Sequence, residues 1–315
     1  MPPTMKIKLR TILPVLLIFL LCGCSAAATL GKPGIEAPAV PTSTITASTA
    51  AATAAPSSPP TSTETPVDPT ATARPVRVKP THTPGPQLVW QGPGLVVCPI
   101  LLYHRIETPH TSDPYFIAPD DFRAQMQALK EWGYTSISAT QLVQAINYGA
   151  DLPARPIVIT FDDGDESVYT AAFPIMREFG FTGVNYIIAN FVDAQGYMSA
   201  DQLKELAVAG WETGSHSMTH PDLTKSDKIE WEMVQSRYLL GRLLHVPINT
   251  FAYPYGKANI NMYDVLMKNY QAGMGLGVSY NQRGRDLWYL WRRPVELGVS
   301  LQTFASYLPW NTPPP

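Results

Sequence analysis

Pro156-Ile157-Val158-Ile159-Thr160-Phe161-Asp162-Asp163-Gly164 carries a nearly unbroken apolar run into two adjacent carboxylates and a glycine. A run of that length and composition reads as a strand buried on both faces, which a parallel sheet covered by helices requires. Two carboxylates at its end are costly to bury without partners, so a cation is expected beside them. Adjacent residues project in different directions, so one carboxylate can ligate a metal while its neighbour faces a substrate.

The flanking sequence alternates short β-rich runs with amphipathic segments. Cys98 to Tyr103 reads as a strand and Asp121 to Trp132 as a helix, with Phe122, Met126 and Leu129 on one face and Gly133 closing it. Tyr134 to Ser138 is expected as a strand and Thr140 to Tyr148 as a helix. Beyond the central strand come a helix over Glu166 to Phe179 and a strand over Gly183 to Ala189. A capping box at Ser199-Ala200-Asp201-Gln202 opens a helix that ends near Gly210. Ile229 to Leu244 and Tyr263 to Tyr270 are helical, Asn249 to Tyr253 and Trp288 to Leu297 extended. Strands alternating with helices favour a parallel sheet, and residues 88–315 suffice for one α/β barrel, whose chemistry sits where strands end.

His216-Ser217-Met218-Thr219-His220 supplies a second metal-capable group. The i, i+4 spacing is expected to place both imidazoles on one face of a short helical turn, cut off by Pro221. One carboxylate and two histidines leave positions for water and substrate, and a separate carboxylate can then act as base.

Before the domain, Lys6, Lys8 and Arg10 precede an apolar run from Ile12 to Leu21, then Leu21-Cys22-Gly23-Cys24. This reads as a signal peptide over residues 1–24, too short for a preferred spanning helix. Its end resembles a bacterial lipobox, implying a lipidated Cys24 and a membrane-anchored, extracytoplasmic lipoprotein. Residues 25–87 are rich in Ala, Thr, Ser and Pro and read as a disordered linker. It would reach toward ~200 Å as polyproline II, or span ~45 Å as a loose coil. Residues 1–95 hold seven Lys/Arg and three Asp/Glu, whereas the rest hold sixteen and twenty-two. An acidic domain argues against a nucleic-acid partner. Cys98 is the one cysteine of the domain, so no disulfide within it is available.

In their order along the chain, these segments resemble the motifs of the polysaccharide deacetylases of carbohydrate esterase family 4. Thr160 to Gly164 is similar to the first motif, His216 to His220 to the second, and Phe251-Ala252-Tyr253-Pro254-Tyr255-Gly256 to the third. The resemblance implies a distorted (β/α) barrel and a divalent ion, Zn2+ foremost, on Asp163, His216 and His220, with Asp162 as general base. It also implies an oxyanion site at the Tyr255 N–H, with Pro254 and Tyr255 binding an N-acetylated polysaccharide of the cell envelope. Two departures stand out. The family's C-terminal Leu-x-His is missing, since the last histidine is His245. Leu101-Leu102-Tyr103-His104 instead resembles an element of the poly-N-acetylglucosamine deacetylase subgroup, making His104 the expected general acid. The third motif also lacks the family's arginine, a role that Arg292 or Arg293 could fill. An O-acetyl esterase and a catalytically inactive carbohydrate-binding module are the competing readings.

Overall fold

The computed structural model describes residue 85 and residues 87–314. The expected signal and lipobox, with Cys24, and nearly all of the expected linker lie outside the described residues.

Eight parallel strands form the central sheet: β1 (Ile100–Tyr103), β2 (Thr135–Ser136), β3 (Pro156–Phe161), β4 (Val184–Ile187), β5 (Glu212–Ser215), β6 (Thr250–Ala252), β7 (Ala272–Met274) and β8 (Arg293–Pro294). Their spatial order is β7-β6-β5-β4-β3-β1-β8, with β2 set beside the start of β3. The ends of this path meet. Met274 bridges Leu290, and the N–H groups of Gly275 and Gly277 donate to the carbonyls of Leu290 and Arg292 at 2.9 and 2.8 Å. The segment entering β8 thus joins both edges of the sheet, producing a distorted barrel.

Strand alternation divides the core into two clusters. Ile100, Val158, Val184, Tyr186, Ala252, Ala272, Met274 and Leu290 fill the barrel interior. Leu101, Tyr103, Ile157, Ile159, Phe161 and Phe251 belong to the cluster under the surrounding helices. All six residues of β3 are buried, as its composition predicts. Each such Leu, Ile or Phe contributes roughly 1.5–3 kcal/mol by leaving water.

The helices follow their end signals. In α1 (Pro119–Glu131), Pro119 sits in the first turn, Asp120 and Asp121 face the positive helix end, and Phe122, Met126 and Leu129 are buried. Capping boxes start α2 (Ala139–Tyr148), through Ser138 and Gln141, and α4 (Ala200–Val208), through Ser199 and Gln202. Leu142, Val143 and Ile146 of α2 join the interior cluster, closing the barrel where its strands begin. The helix expected from Glu166 is a π-helical turn over Val168–Ala172 continuing into α3 (Phe173–Phe179). The one expected from Ile229 is a π-helical turn at Trp231–Gln235 continuing into α5 (Ser236–Leu244). Asn259 caps α6 (Ile260–Asn269). The long final strand expected from Trp288 reduces to β8, followed by α7 (Leu301–Ser306). Among the described residues no helix is long and apolar enough to cross a membrane.

Candidate active site

At the strand ends opposite α2, one cleft is lined by His104, Asp162, Asp163, His216, His220, Tyr255 and Arg292, with Tyr115, Leu276 and Glu296 at its sides. Asp162 follows the inward phase of Val158 and Thr160 along β3 and is 3% exposed. Asp163 turns out of the strand at φ 73°, a left-handed conformation rare outside glycine and concentrated at functional sites.

Arg292 lies on the same inward phase as Leu290 and is the bulkiest fully buried side chain among the described residues. Its guanidinium donates through Nη1 to Asp162 Oδ1 at 2.6 Å and through Nη2 to Oδ2 at 2.7 Å. Nε donates to the Gly275 carbonyl at 3.2 Å, and the group lies 5.3 Å from the centroid of the Tyr186 ring. Burial raises the Asp162 carboxyl, but the charge and hydrogen bonds of Arg292, with His216, overcome it and hold the group at about 2. Of the two arginines named from sequence, Arg292 therefore meets the carboxylate. Arg293 does not: one step along the strand it faces the other way, 3.9 Å from the centroid of the Tyr307 ring.

Asp163, His216 and His220 bring one ligand atom each to within 4.8 Å of one another. Asp163 Oδ1 lies 3.6 Å from His216 Nε2 and 3.5 Å from His220 Nε2, and it is a buried oxygen with no hydrogen-bond partner. His216 Nδ1 faces the Ala252 carbonyl at 2.8 Å; as donor there, it leaves Nε2 as the free lone pair. Burial pushes Asp163 up and both histidines down, each toward its uncharged form. Neutral imidazoles and an orphaned carboxylate oxygen fit a divalent cation, which also offsets their burial.

The expected helical turn at 216–220 is absent. His216 follows the end of β5, Ser217 and His220 take φ values of 72° and 61°, and the imidazoles converge from an irregular loop. Its N–H groups find side-chain acceptors instead of helical carbonyls. Ser217 Oγ accepts from His220, and the Glu232 carboxylate accepts from Met218 and Thr219.

His104, just after β1, packs against Tyr115 with ring centroids 4.3 Å apart and planes tilted by 42°. Burial lowers its pKa, opposed by the charges of Asp162 and Asp163. Pro254 is buried and opens the tight turn Pro254–Gly256, in which Tyr255 takes φ 59°. The half-exposed Tyr255 ring lies 4.6 Å from that of His220. Sequence reasoning passed over Tyr115, Glu296 and Glu232. Tyr115 and Glu296 sit in loops without periodicity, whereas Glu232, an acidic residue on the buried face of a helical segment, offered a signal.

The sequence model of the polysaccharide deacetylase family matches residues 149–274, which include the first and second motifs and the third. YxkH of Bacillus subtilis (strain 168), whose name places it provisionally among polysaccharide deacetylases, is 25% identical over 213 residues, covering 67% of this chain and 75% of its own. The poly-beta-1,6-N-acetyl-D-glucosamine N-deacetylase of Staphylococcus aureus (strain MRSA252) is 26% identical over 185 residues, 54% of this chain and 62% of its own. Among solved structures, the polysaccharide deacetylase BC0361 from Bacillus cereus superimposes with a TM-score of 0.61 at 28% identity, covering 67% of this chain and 68% of that one. With the three motif segments gathered at one cleft of a distorted barrel, residues 149–274 match the polysaccharide deacetylase family model, and the chain is similar to proteins named as polysaccharide deacetylases.

Proposed function

We propose that this protein is a divalent-metal-dependent hydrolase, with Zn2+ as its ion, that removes N-acetyl groups from N-acetylglucosamine-containing polysaccharide at the bacterial cell envelope. The observation that carries the reading is the buried, unpartnered Asp163 Oδ1 facing two histidine Nε2 atoms, beside a second carboxylate clamped by arginine. Asp163, His216 and His220 would hold the ion. When bound, it lowers the pKa of a water and polarises the acetyl carbonyl.

Asp162 is the base that takes the water's proton. With both oxygens engaged by Arg292 it stays ionised and oriented, which matters more here than a high proton affinity. The Tyr255 N–H, in its left-handed turn at the cleft, is the donor for the developing oxyanion. His104 supplies the proton to the nitrogen as the C–N bond breaks, so that acetate and a free amine leave. Burial lowers the pKa of His104, which makes its protonated form a readier donor, while the carboxylates of Asp162 and Asp163 oppose that shift. The exposed faces of Tyr115 and Tyr255 suit the apolar C–H faces of a pyranose.

Two features support the substrate and location. One is the likeness to the staphylococcal enzyme named for poly-beta-1,6-N-acetyl-D-glucosamine, together with the Tyr103-His104 segment. The other is the lipobox-like Leu21 to Cys24. The test is acetate release by the full-length protein from poly-N-acetylglucosamine, chitin oligomers, peptidoglycan and acetylated xylan, with Zn2+ or with chelator. Chelator-sensitive release from an N-acetylated glycan is expected. Release from acetylated xylan alone would make the protein an O-acetyl esterase. Retention of glycan without any release would make it a binding module.

A further inference from the structure

We propose that Glu232 is a positioning residue that sets the place of His220, and through it the affinity of the metal site. The inference rests on the metal-dependent reading above. Glu232 is 4% exposed and lies on the π-helical turn that leads into α5. Oε2 accepts the N–H groups of Met218 and Thr219, each at 2.9 Å, and Oε1 accepts the Thr219 hydroxyl at 2.6 Å. All three donors lie between the two histidines in sequence.

The two histidines differ in what holds them. His216 follows a sheet strand directly, and its ring is tied to the Ala252 carbonyl. His220 stands beyond a loop with two left-handed residues, a conformation costing about 1–3 kcal/mol at each unless the surroundings impose it. The surroundings do so from two sides. The carbonyls of Ser217 and Met218 accept the N–H groups of Ala189 and Asn190, both at 3.0 Å. The opposite edge of the loop rests on Glu232 alone for two of its N–H groups. Glu232 is itself fixed, because Ser236 Oγ, one turn later, meets Ser215 Oγ of β5 at 2.6 Å. One buried carboxylate thus replaces the hydrogen bonds that a helical turn would have made. Removing it leaves the buried Met218 N–H and the more exposed Thr219 N–H without their acceptor and frees the loop to relax away from the geometry that aims His220 at Asp163.

The test is Zn2+ titration of the metal-stripped full-length protein by competition with a chromophoric chelator, with thermal unfolding of the same metal-free samples. Glu232→Ala is expected to weaken Zn2+ binding about ten- to hundred-fold. Glu232→Gln keeps one acceptor oxygen for the two N–H groups, and its amide can donate to a rotated Thr219 hydroxyl, so near-normal affinity is expected. Should Glu232→Ala not fold, Thr219→Val carries the test, with an expected loss of roughly three- to ten-fold from one hydrogen bond. Wild-type affinity in Glu232→Ala, or in Thr219→Val where only that variant folds, overturns the role of Glu232. Failure of the wild-type protein itself to bind Zn2+ overturns the metal reading and this inference with it.

Discussion

Arg292→Met would strip the counter-charge from a carboxylate that is 3% exposed. The structure yields the size of the effect. Asp162 is held at about 2 instead of 3.8, and at about 1.36 kcal/mol per pKa unit that depression corresponds to about 2 kcal/mol of folding stability. This figure is net of burial, which acts in the opposite direction, so deleting the arginine alone exceeds it. Breaking a buried ion pair typically costs about 3–5 kcal/mol, and that is the expected loss. Because the folded-state value lies below the ordinary one, the contribution is complete at neutral pH. It fades only as the pH falls below about 4 toward about 2. Urea unfolding of the metal-free protein at pH 7, followed by tryptophan fluorescence, measures it. Asp162→Asn and the double variant complete the cycle. With both charged partners gone, the loss should shrink, giving a coupling energy of about 2 kcal/mol or more. A loss below about 1 kcal/mol in Arg292→Met, or additive single effects, would refute the reasoning.

His104→Ala should lower turnover by about 10²–10⁴ while zinc content stays at the wild-type level; near-normal turnover in a fully loaded enzyme would remove His104 as the acid. Burial pushes Glu212 above its ordinary 4.5 despite hydrogen bonds from Thr140 and Thr250. The folded state therefore keeps that proton to higher pH than the unfolded chain, so stability falls as pH rises from about 4.5 through the folded value. Glu212→Gln should flatten this slope in urea midpoints, and an unchanged slope would count against the assignment. Complete burial pushes the Cys98 thiol up, so iodoacetamide should label Cys98 only in denaturant; peptide mapping that finds native labelling would contradict this.

The sequence carried the barrel chiefly through Pro156 to Phe161, where composition alone marks a strand buried on both faces. The observed strand has those bounds. The capping box at Ser199 and Gln202 likewise fixed a helix start from local chemistry. Residues 216–220 were the opposite case. Their i, i+4 histidines fit a helix, whereas the observed loop gives its N–H groups to a carboxylate from a different segment, invisible to any local window. The choice between Arg292 and Arg293 also had no local answer. It follows from strand phase, and the strand itself is only two residues long, too short to show alternation. The ribbons pairing Leu88–Gln91 with Ala150–Pro153 and Leu95–Val97 with Asn281–Arg283 depend on partners far apart in sequence.

Arg292 belongs to the segment that joins the two edges of the sheet, so closing the ring and neutralising Asp162 are one event. Translation separates the ingredients in time. A ribosome that has reached Tyr270 has already made Asp162, Asp163, His216 and His220, yet its product has an open sheet edge and a carboxylate with no counter-ion. A chain ending there would hold every residue of the candidate metal site and still lack the arginine that clamps Asp162.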